Sequence, residues 1–457
     1  MSILVAAVPT PTASGWGTRT IAPLGHPERW PFIIDEPIRG ATGWGGVTSL
    51  LEIPGIMSDL SISLEAPDPA AGKPRAASDS VAAATAQRRD SAAVSATTQS
   101  QLSVATYFSE ALAQREQELI FQHGPRYLGH ELAVPAEGDY YALPQEGEGR
   151  ALLRTAQGVA LVSNVCRHRQ AVMLRGRGHT RDRIVCPLHR WTYDLQGRLV
   201  GAPHFDHDPC LHLNTYGVRT WNGMVFEDNG RDIAAELGTV GPRASLDFTG
   251  FVLDKVQMHE CRYNWKTFIE VYLEDYHVVP FHPGLGRFVS CDDLRWEFGR
   301  HHSVQTVGIH EGLRRAGTPA YQRWHDAVLA LRGGVPPQHG AIWLTYYPNI
   351  MVEWYPHVLV VSTLYPKGPQ HTLNVVEFYY PEEIAAFERE FVEAEQAAYM
   401  ETCLEDDEIA ERMDAGRHAL LERGDDEAGP YQSPMEDGMR HFHEWYRRVM
   451  GMGRASW

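Results

Sequence analysis

The sequence predicts an α+β protein, with a small all-β domain followed by a larger domain of long strands and helices. Between Arg126 and about Asn229, short β-rich pieces (ALLRTA, VALVSNV, RIVCPL, MVFED) alternate with glycine and proline turns, which is the texture of a compact β domain. From about Phe251 the strands lengthen and the chain ends in helical text. Ile342 to Tyr365 reads as strand, broken near Pro348 and Pro356, and Pro381 to about Glu422 reads as one long helical stretch. A further helix is predicted from about Ser433 to Val449. Its start is Ser433-Pro434-Met435-Glu436, with serine as N-cap, proline at N1 and glutamate at N3 closing a capping box.

The 457 residues suffice for two to three domains, and 43% hydrophobic with 22% charged residues is ordinary for a globular protein. Lys and Arg number 41 against 58 Asp and Glu, a net charge of −17. That charge argues against nucleic acid or an anionic membrane as partner and suits a protein partner with a basic patch. No apolar run is long enough for a membrane helix, and MSILVAAVPTPTASGWG lacks the basic start of a secretory signal. Six cysteines are too sparse for a disulfide scaffold, and two stand among histidines, which suits metal ligation in a reducing cytoplasm.

Residues 65–103 are dominated by Ala, Ser, Thr, Asp and Gln and cannot bury enough apolar surface to offset their ordering entropy. Residues 1–104 are therefore expected to be a disordered extension, with 1–56 an over-long gene start and Met57 the alternative start. A first amphipathic helix is predicted over Phe108 to Phe121. The β domain falls within 105–235 and the second domain within 236–457.

The β domain holds Cys166-Arg167-His168 and, further on, Cys186-Pro187-Leu188-His189. Two short Cys/His pairs match what a Rieske [2Fe–2S] cluster needs, two thiolates for one iron and two imidazoles for the other. Zinc also takes two Cys and two His, but the usual finger order places both cysteines before both histidines. The segment CRHRQAVMLRGRGHTRDRIVCPLHRWTYDLQGRLVGAP closely resembles the Rieske motif of ring-hydroxylating and related oxygenases. The departure is Arg169-Gln170, where the family usually follows Arg with Gly.

The second domain holds Glu274-Asp275-Tyr276-His277 and then His282-Pro283. A spacing of five places the histidines about 140° apart on a straight helix, so a break is required, and Pro280 and Pro283 supply one. Two histidines and one carboxylate form the facial triad of non-haem Fe(II) enzymes. The segment NWKTFIEVYLEDYHVVPFHP resembles the catalytic motif of Rieske oxygenase α subunits, nearest the choline and carnitine branch, where a Glu stands three residues before the first His. Val271 departs from the Asn common in the family.

The family takes its third ligand from an acidic stretch of the C-terminal helix, here Glu405-Asp406-Asp407. Asp406 shares a helical face with Cys403, Ile409, Ala410 and Met413, whereas Asp407 lies with Leu404, Glu411 and Asp414, so Asp406 is favoured over Asp407. Asp414 departs from the Gln frequent in the family, and GPYQSPMEDGMRHFHEWYRRVM resembles its closing helix.

The resemblance covers about residues 105–450. It implies an N-terminal Rieske domain with Cys166, His168, Cys186 and His189 on the cluster, and a catalytic domain whose antiparallel sheet wraps a long helix, with Fe(II) on His277, His282 and Asp406. It further implies O₂ as co-substrate, an NAD(P)H-dependent reductase with or without a ferredoxin, and a head-to-tail homotrimer in which Glu274 bridges His277 to a neighbour's His189. The expected substrate is a small organic molecule, an aromatic ring ranked ahead of a quaternary ammonium compound. The alternatives from other classes are a Rieske electron carrier and a zinc-binding interaction module. Trp343, Tyr346, Tyr347, Trp354 and Tyr355 are candidate pocket residues, and His204, His207, His301 and His302 are expected on the surface or in loops.

Overall fold

A computed structural model describes residues 101–452. The expectations for residues 1–100 lie outside them. Packing begins before the expected boundary, because Leu102 and Val104 are buried. The backbone N–H of Val104 donates to Asp426 at 2.9 Å, and Leu102 and Tyr107 pack with Trp445 and Tyr446 of the last helix. A Ser- and Ala-rich window concealed these few apolar side chains, whose core comes from more than 300 residues away. Helix Glu110–Glu116 follows, capped by Ser109, whose side chain accepts from Leu112 N at 3.2 Å.

The β domain contains eleven short strands in three antiparallel sheets. One sheet pairs Tyr127–His130 (β1) with Met224–Glu227 (β11), which also pairs Val218–Trp221 (β10). A second has Asp139–Ala142 (β2), Arg150–Thr155 (β3) and Gly158–Ser163 (β4) flanked by Arg177–His179 (β5) and Thr215–Tyr216 (β9). The third has Arg183–Val185 (β6), Thr192–Asp194 (β7) and Leu199–Gly201 (β8).

The second domain is built on a seven-stranded antiparallel sheet. In space its order is Phe251–Cys261 (β12), His371–Pro381 (β18), Val358–Gly368 (β17), Ile350–Tyr355 (β16), Ala341–Tyr346 (β15), His302–Ile309 (β14) and Val289–Phe298 (β13). The breaks in the strand text near Pro348 and Pro356 are the turns joining β15, β16 and β17. Side chains alternate between the two faces. Ile342, Leu344, Val352, Leu359 and Val361 share one apolar cluster with Leu128, Leu152, Leu161 and Phe226 of the β domain. Trp343, Tyr355, Val358, Val360 and Phe378 face the other way, onto Phe391, Val392 and Ala398 of the long helix. The sheet therefore stands between the β domain and the helices.

Two helix boundaries differ from expectation. The stretch after Pro381 is two helices, Glu382–Phe387 and the 35-residue Arg389–Arg423, separated by Glu388 at φ −115°, ψ 53°. The last helix runs Asp437–Val449, four residues later than expected, and Ser433 does not cap it. Instead the Ser433 hydroxyl donates to Asp437 at 3.1 Å, and Pro434 O accepts from Trp296 Nε1 at 2.9 Å, so residues 433–436 serve tertiary contacts. His302 is likewise no loop residue; it is buried in β14.

Candidate metal centres and substrate cavity

The two Cys/His loops are built alike. In the first, Gln170 N–H donates to Cys166 O at 3.0 Å and Cys166 N–H to Ala171 O at 2.9 Å. In the second, Arg190 N–H donates to Cys186 O at 3.1 Å and Cys186 N–H to Trp191 O at 2.8 Å. Gln170 (φ 52°) and Arg190 (φ 61°) occupy the same left-handed position. Gln170 stands where the family has glycine, and that φ is the reason glycine suits it. Both cysteines are buried beside Tyr193, and the Cys166 sulfur lies 3.6 Å from its hydroxyl. The imidazoles of His168 and His189 approach to 4.6 Å between centroids, and His168 stacks on Trp191 at 5.0 Å.

Two observations match this cradle to a cluster. The Nδ1 of His168 is buried without a hydrogen-bond partner among the described residues, free to bind iron. No three of the four side chains bring their ligand atoms within 4.8 Å of one another, the reach of one ion. A single zinc ion does not suit so wide a set, whereas a two-iron cluster does.

The second centre is tight. Helix Trp265–Tyr272 ends at Leu273, and a separate turn, Val278–Phe281, carries His277 and His282 at its two ends. Pro280 lies in the first turn of that short helix, where no amide partner is lost. His282 has left helical geometry at ψ 94°, and this break brings the two Nε2 atoms to 3.0 Å. From the long helix, Asp406 Oδ1 comes within 3.0 Å of His282 Nε2 and 3.4 Å of His277 Nε2. These contacts are not aligned as hydrogen bonds, and Oδ1 is left without one. Three lone-pair atoms converging in this way are the signature of a cation site. Asp407 turns elsewhere, accepting from the Tyr263 hydroxyl at 2.7 Å and lying 2.8 Å from His259 Nε2.

Carboxylates set both imidazoles. Glu274 accepts from His277 Nδ1 in a short contact and from the His277 backbone N–H at 3.0 Å. Burial alone would lower His277, but Asp406 and Glu274 push it up to about 10. Glu405 stands 2.7 Å from His282 Nδ1. Each carboxylate fixes a proton on Nδ1, so Nε2 is the nitrogen at which a metal would replace a proton. The sequence reading named Glu405 only as part of an acidic stretch; its partner lies 123 positions away.

A cavity opens onto this centre. Eight aromatic side chains line it, from Tyr263 to Tyr399, together with Glu274, Asp275, Glu353 and Asp406; among the described residues no lysine or arginine does. Of the five candidate aromatics, Trp343 and Tyr355 line the cavity and three do not. Tyr346 and Trp354 face the β domain by strand alternation, and Tyr347 packs on the last helix. Sequence reasoning missed Glu353. The available signal was a lone carboxylate inside the apolar strand IMVEWY.

Two families match the chain: the Rieske [2Fe–2S] domain over residues 125–220 and the ring hydroxylating α subunit catalytic domain over residues 244–452. Putrescine 2-hydroxylase of Ralstonia nicotianae is 68% identical over 352 residues, covering 77% of this chain and 96% of that protein. Putrescine 2-hydroxylase of Bordetella bronchiseptica is 61% identical over 365 residues, covering 77% and 85%. A crystal structure of a quaternary ammonium Rieske monooxygenase aligns with TM-score 0.63 at 20% identity, over 78% of this chain and 97% of that one. With a Rieske domain, a catalytic domain of this type and relatives at this identity, the chain belongs to the Rieske oxygenase α subunits, which carry a [2Fe–2S] cluster and a mononuclear iron.

Proposed function

We propose that this chain is the terminal oxygenase that hydroxylates a short aliphatic diamine of the putrescine kind, rather than an aromatic ring. The observation that carries the reading is the cavity beside His277, His282 and Asp406, rich in aromatic faces and carboxylates, with no lysine or arginine among its described lining residues. Such a lining attracts a cation through ring quadrupoles and direct charge. A neutral arene would stack equally well but leave Glu353 buried without a counter-charge. The two putrescine 2-hydroxylases at 68% and 61% identity support the same reading.

In this reading His277, His282 and Asp406 hold the mononuclear iron, and Cys166, His168, Cys186 and His189 hold the cluster. When bound, the cluster delivers electrons from a reductase singly and the iron provides O₂ activation. The chain's own part is to keep Nδ1 of His277 and His282 protonated through Glu274 and Glu405, and to exclude water with the aromatic lining. Electron delivery is proposed to run across a head-to-tail homotrimer, in which Glu274 meets the partner subunit's His189. Exposed His189 lies beside exposed Leu188, and exposed Tyr276 and Val279 flank His277, so both faces offer apolar surface for burial.

The test is turnover with a surrogate reductase, NADH and O₂. Putrescine should gain one oxygen atom, with O₂ uptake matched to product. Coupled turnover of naphthalene with none of putrescine would overturn the reading.

A further inference from the structure

The cavity wall built by β15 and β16 carries a group that can hold the amine. Glu353 lies in β16 directly across from Trp343 of β15, and Tyr355 follows two positions on, on the same face. The Glu353 carboxylate is 1% exposed. Its Oε1 accepts from the Tyr399 hydroxyl at 2.8 Å and its Oε2 from the Tyr355 hydroxyl at 2.8 Å. The Tyr355 oxygen in turn accepts from Trp343 Nε1 at 3.0 Å, which aims the Tyr355 proton at the carboxylate. This carboxylate is fixed in place and has lone pairs to spare.

Two phenols orient the charge but do not balance it. Burial pushes Glu353 up to about 7, against the lowering effect of both phenols. The Tyr272 hydroxyl, on the same cavity and within reach of Glu353's charge, is buried with no hydrogen-bond partner among the described residues. One wall thus offers a cation-seeking carboxylate and an unused phenol oxygen. A primary ammonium brings three N–H donors to such a wall, whereas a quaternary ammonium brings none. Aromatic faces alone would suffice for a quaternary centre.

The long helix sets the distance to the metal ligands. Tyr399 and Asp406 are seven residues apart, so they share a face with a rise of about 10.5 Å between them. Thr402 and Cys403, on the turn between, also line the cavity. An amine held by Glu353 therefore directs its alkyl chain along this strip toward His277, His282 and Asp406.

We infer that Glu353, with the Tyr272 hydroxyl, is the ammonium anchor of the cavity and selects primary amine termini over quaternary ones. The inference rests on the proposed amine reading. The test is calorimetric titration of the anaerobic holoenzyme with 1,4-diaminobutane, n-butylamine and butyltrimethylammonium, alongside product analysis with the diamine. Glu353→Gln should weaken both primary amines roughly a hundredfold and the quaternary compound far less. Tyr272→Phe should weaken the primary amines roughly five- to tenfold and leave the quaternary compound unchanged. Iron and sulfide content confirm that each variant is loaded. If Glu353→Gln fails to load, the selectivity of Tyr272→Phe decides. Diamine affinity within twofold of wild type in Glu353→Gln, or equal loss for the quaternary compound, overturns the anchor. If the wild type still hydroxylates the diamine in that case, the proposed function stands without it. Binding that depends on Glu353 with no hydroxylated product leaves the anchor and removes the function. A wild type that binds no amine removes both.

Discussion

Asp406 and Asp407 are neighbours with different partners, and the difference is measurable. Asp406→Ala should lose the mononuclear iron and keep the cluster, giving a lower ratio of iron to acid-labile sulfide. Asp407→Ala should keep the iron, because its carboxylate serves Tyr263 and His259 instead. Glu405→Gln should retain the fold while weakening iron binding roughly 10- to 100-fold, the usual effect of removing an outer carboxylate from a ligand histidine. Iron titration of the chelated protein would show it. At this scale the sequence names candidates where the pattern is local. Cys166, His168, Cys186 and His189 sit in two short loops, and His277 and His282 lie at the ends of one turn. Glu405 was not legible as a site residue, since its partner lies 123 positions away, and Glu353 showed only as a lone carboxylate in an apolar strand, its partner Tyr399 lying 46 positions on.

Among elements, helix Trp265–Tyr272 leads into the turn that carries His277 and His282, and it is held from three sides. Asn264 caps its first turn, and Asp414 accepts from Asn264 N at 2.9 Å and from the Thr267 hydroxyl at 2.7 Å. Asp414 departs from the family's residue and looked like part of a polar strip; it is in fact buried in this contact. Lys266 is fully buried and pairs with Glu116 at 2.7 Å, while Trp265 Nε1 and the Tyr446 hydroxyl also donate to Glu116. Lys266→Met should therefore cost about 3–5 kcal/mol in chemical denaturation, mostly by stranding the Glu116 charge. Adding Glu116→Gln should recover much of that loss. Elements were legible where apolar strand text is continuous and prolines mark its turns, as in β15 to β17. They were misplaced where a tertiary contact outweighs a local signal, as at Ser433–Glu436, where Pro434 O is taken by Trp296 from 138 positions away and the helix starts only at Asp437.

Across the whole molecule, the text changes from short strands before about Asn229 to long strands after about Phe251, but nothing in that change shows that the two parts share one apolar core. Which strand face meets which domain depends on pairing that no single segment encodes. A pH effect belongs to this junction. Glu377 of β18 accepts from the Tyr127 hydroxyl of β1 at 2.5 Å, and burial pushes its carboxyl up to about 7. The native state keeps a proton that the unfolded chain releases in the usual carboxylate range. Glu377 therefore favours folding fully only at low pH, and that benefit is lost as pH rises to about 7. The melting temperature of Glu377→Gln relative to wild type should rise between about pH 5 and about pH 8. A constant difference would place the titration elsewhere.

The sheet with one face on each neighbour also bears on how such proteins can be recombined. Ile342, Leu344, Val352, Leu359 and Val361 are as much part of the cluster-bearing domain's interior as of their own. A chimaera that exchanges residues 105–235 for those of a distant relative would set foreign side chains against these five. It should melt earlier and lose cluster before iron, unless the matching sheet face travels with the graft. The portable unit of this architecture is the β domain together with the near side of its neighbour's sheet.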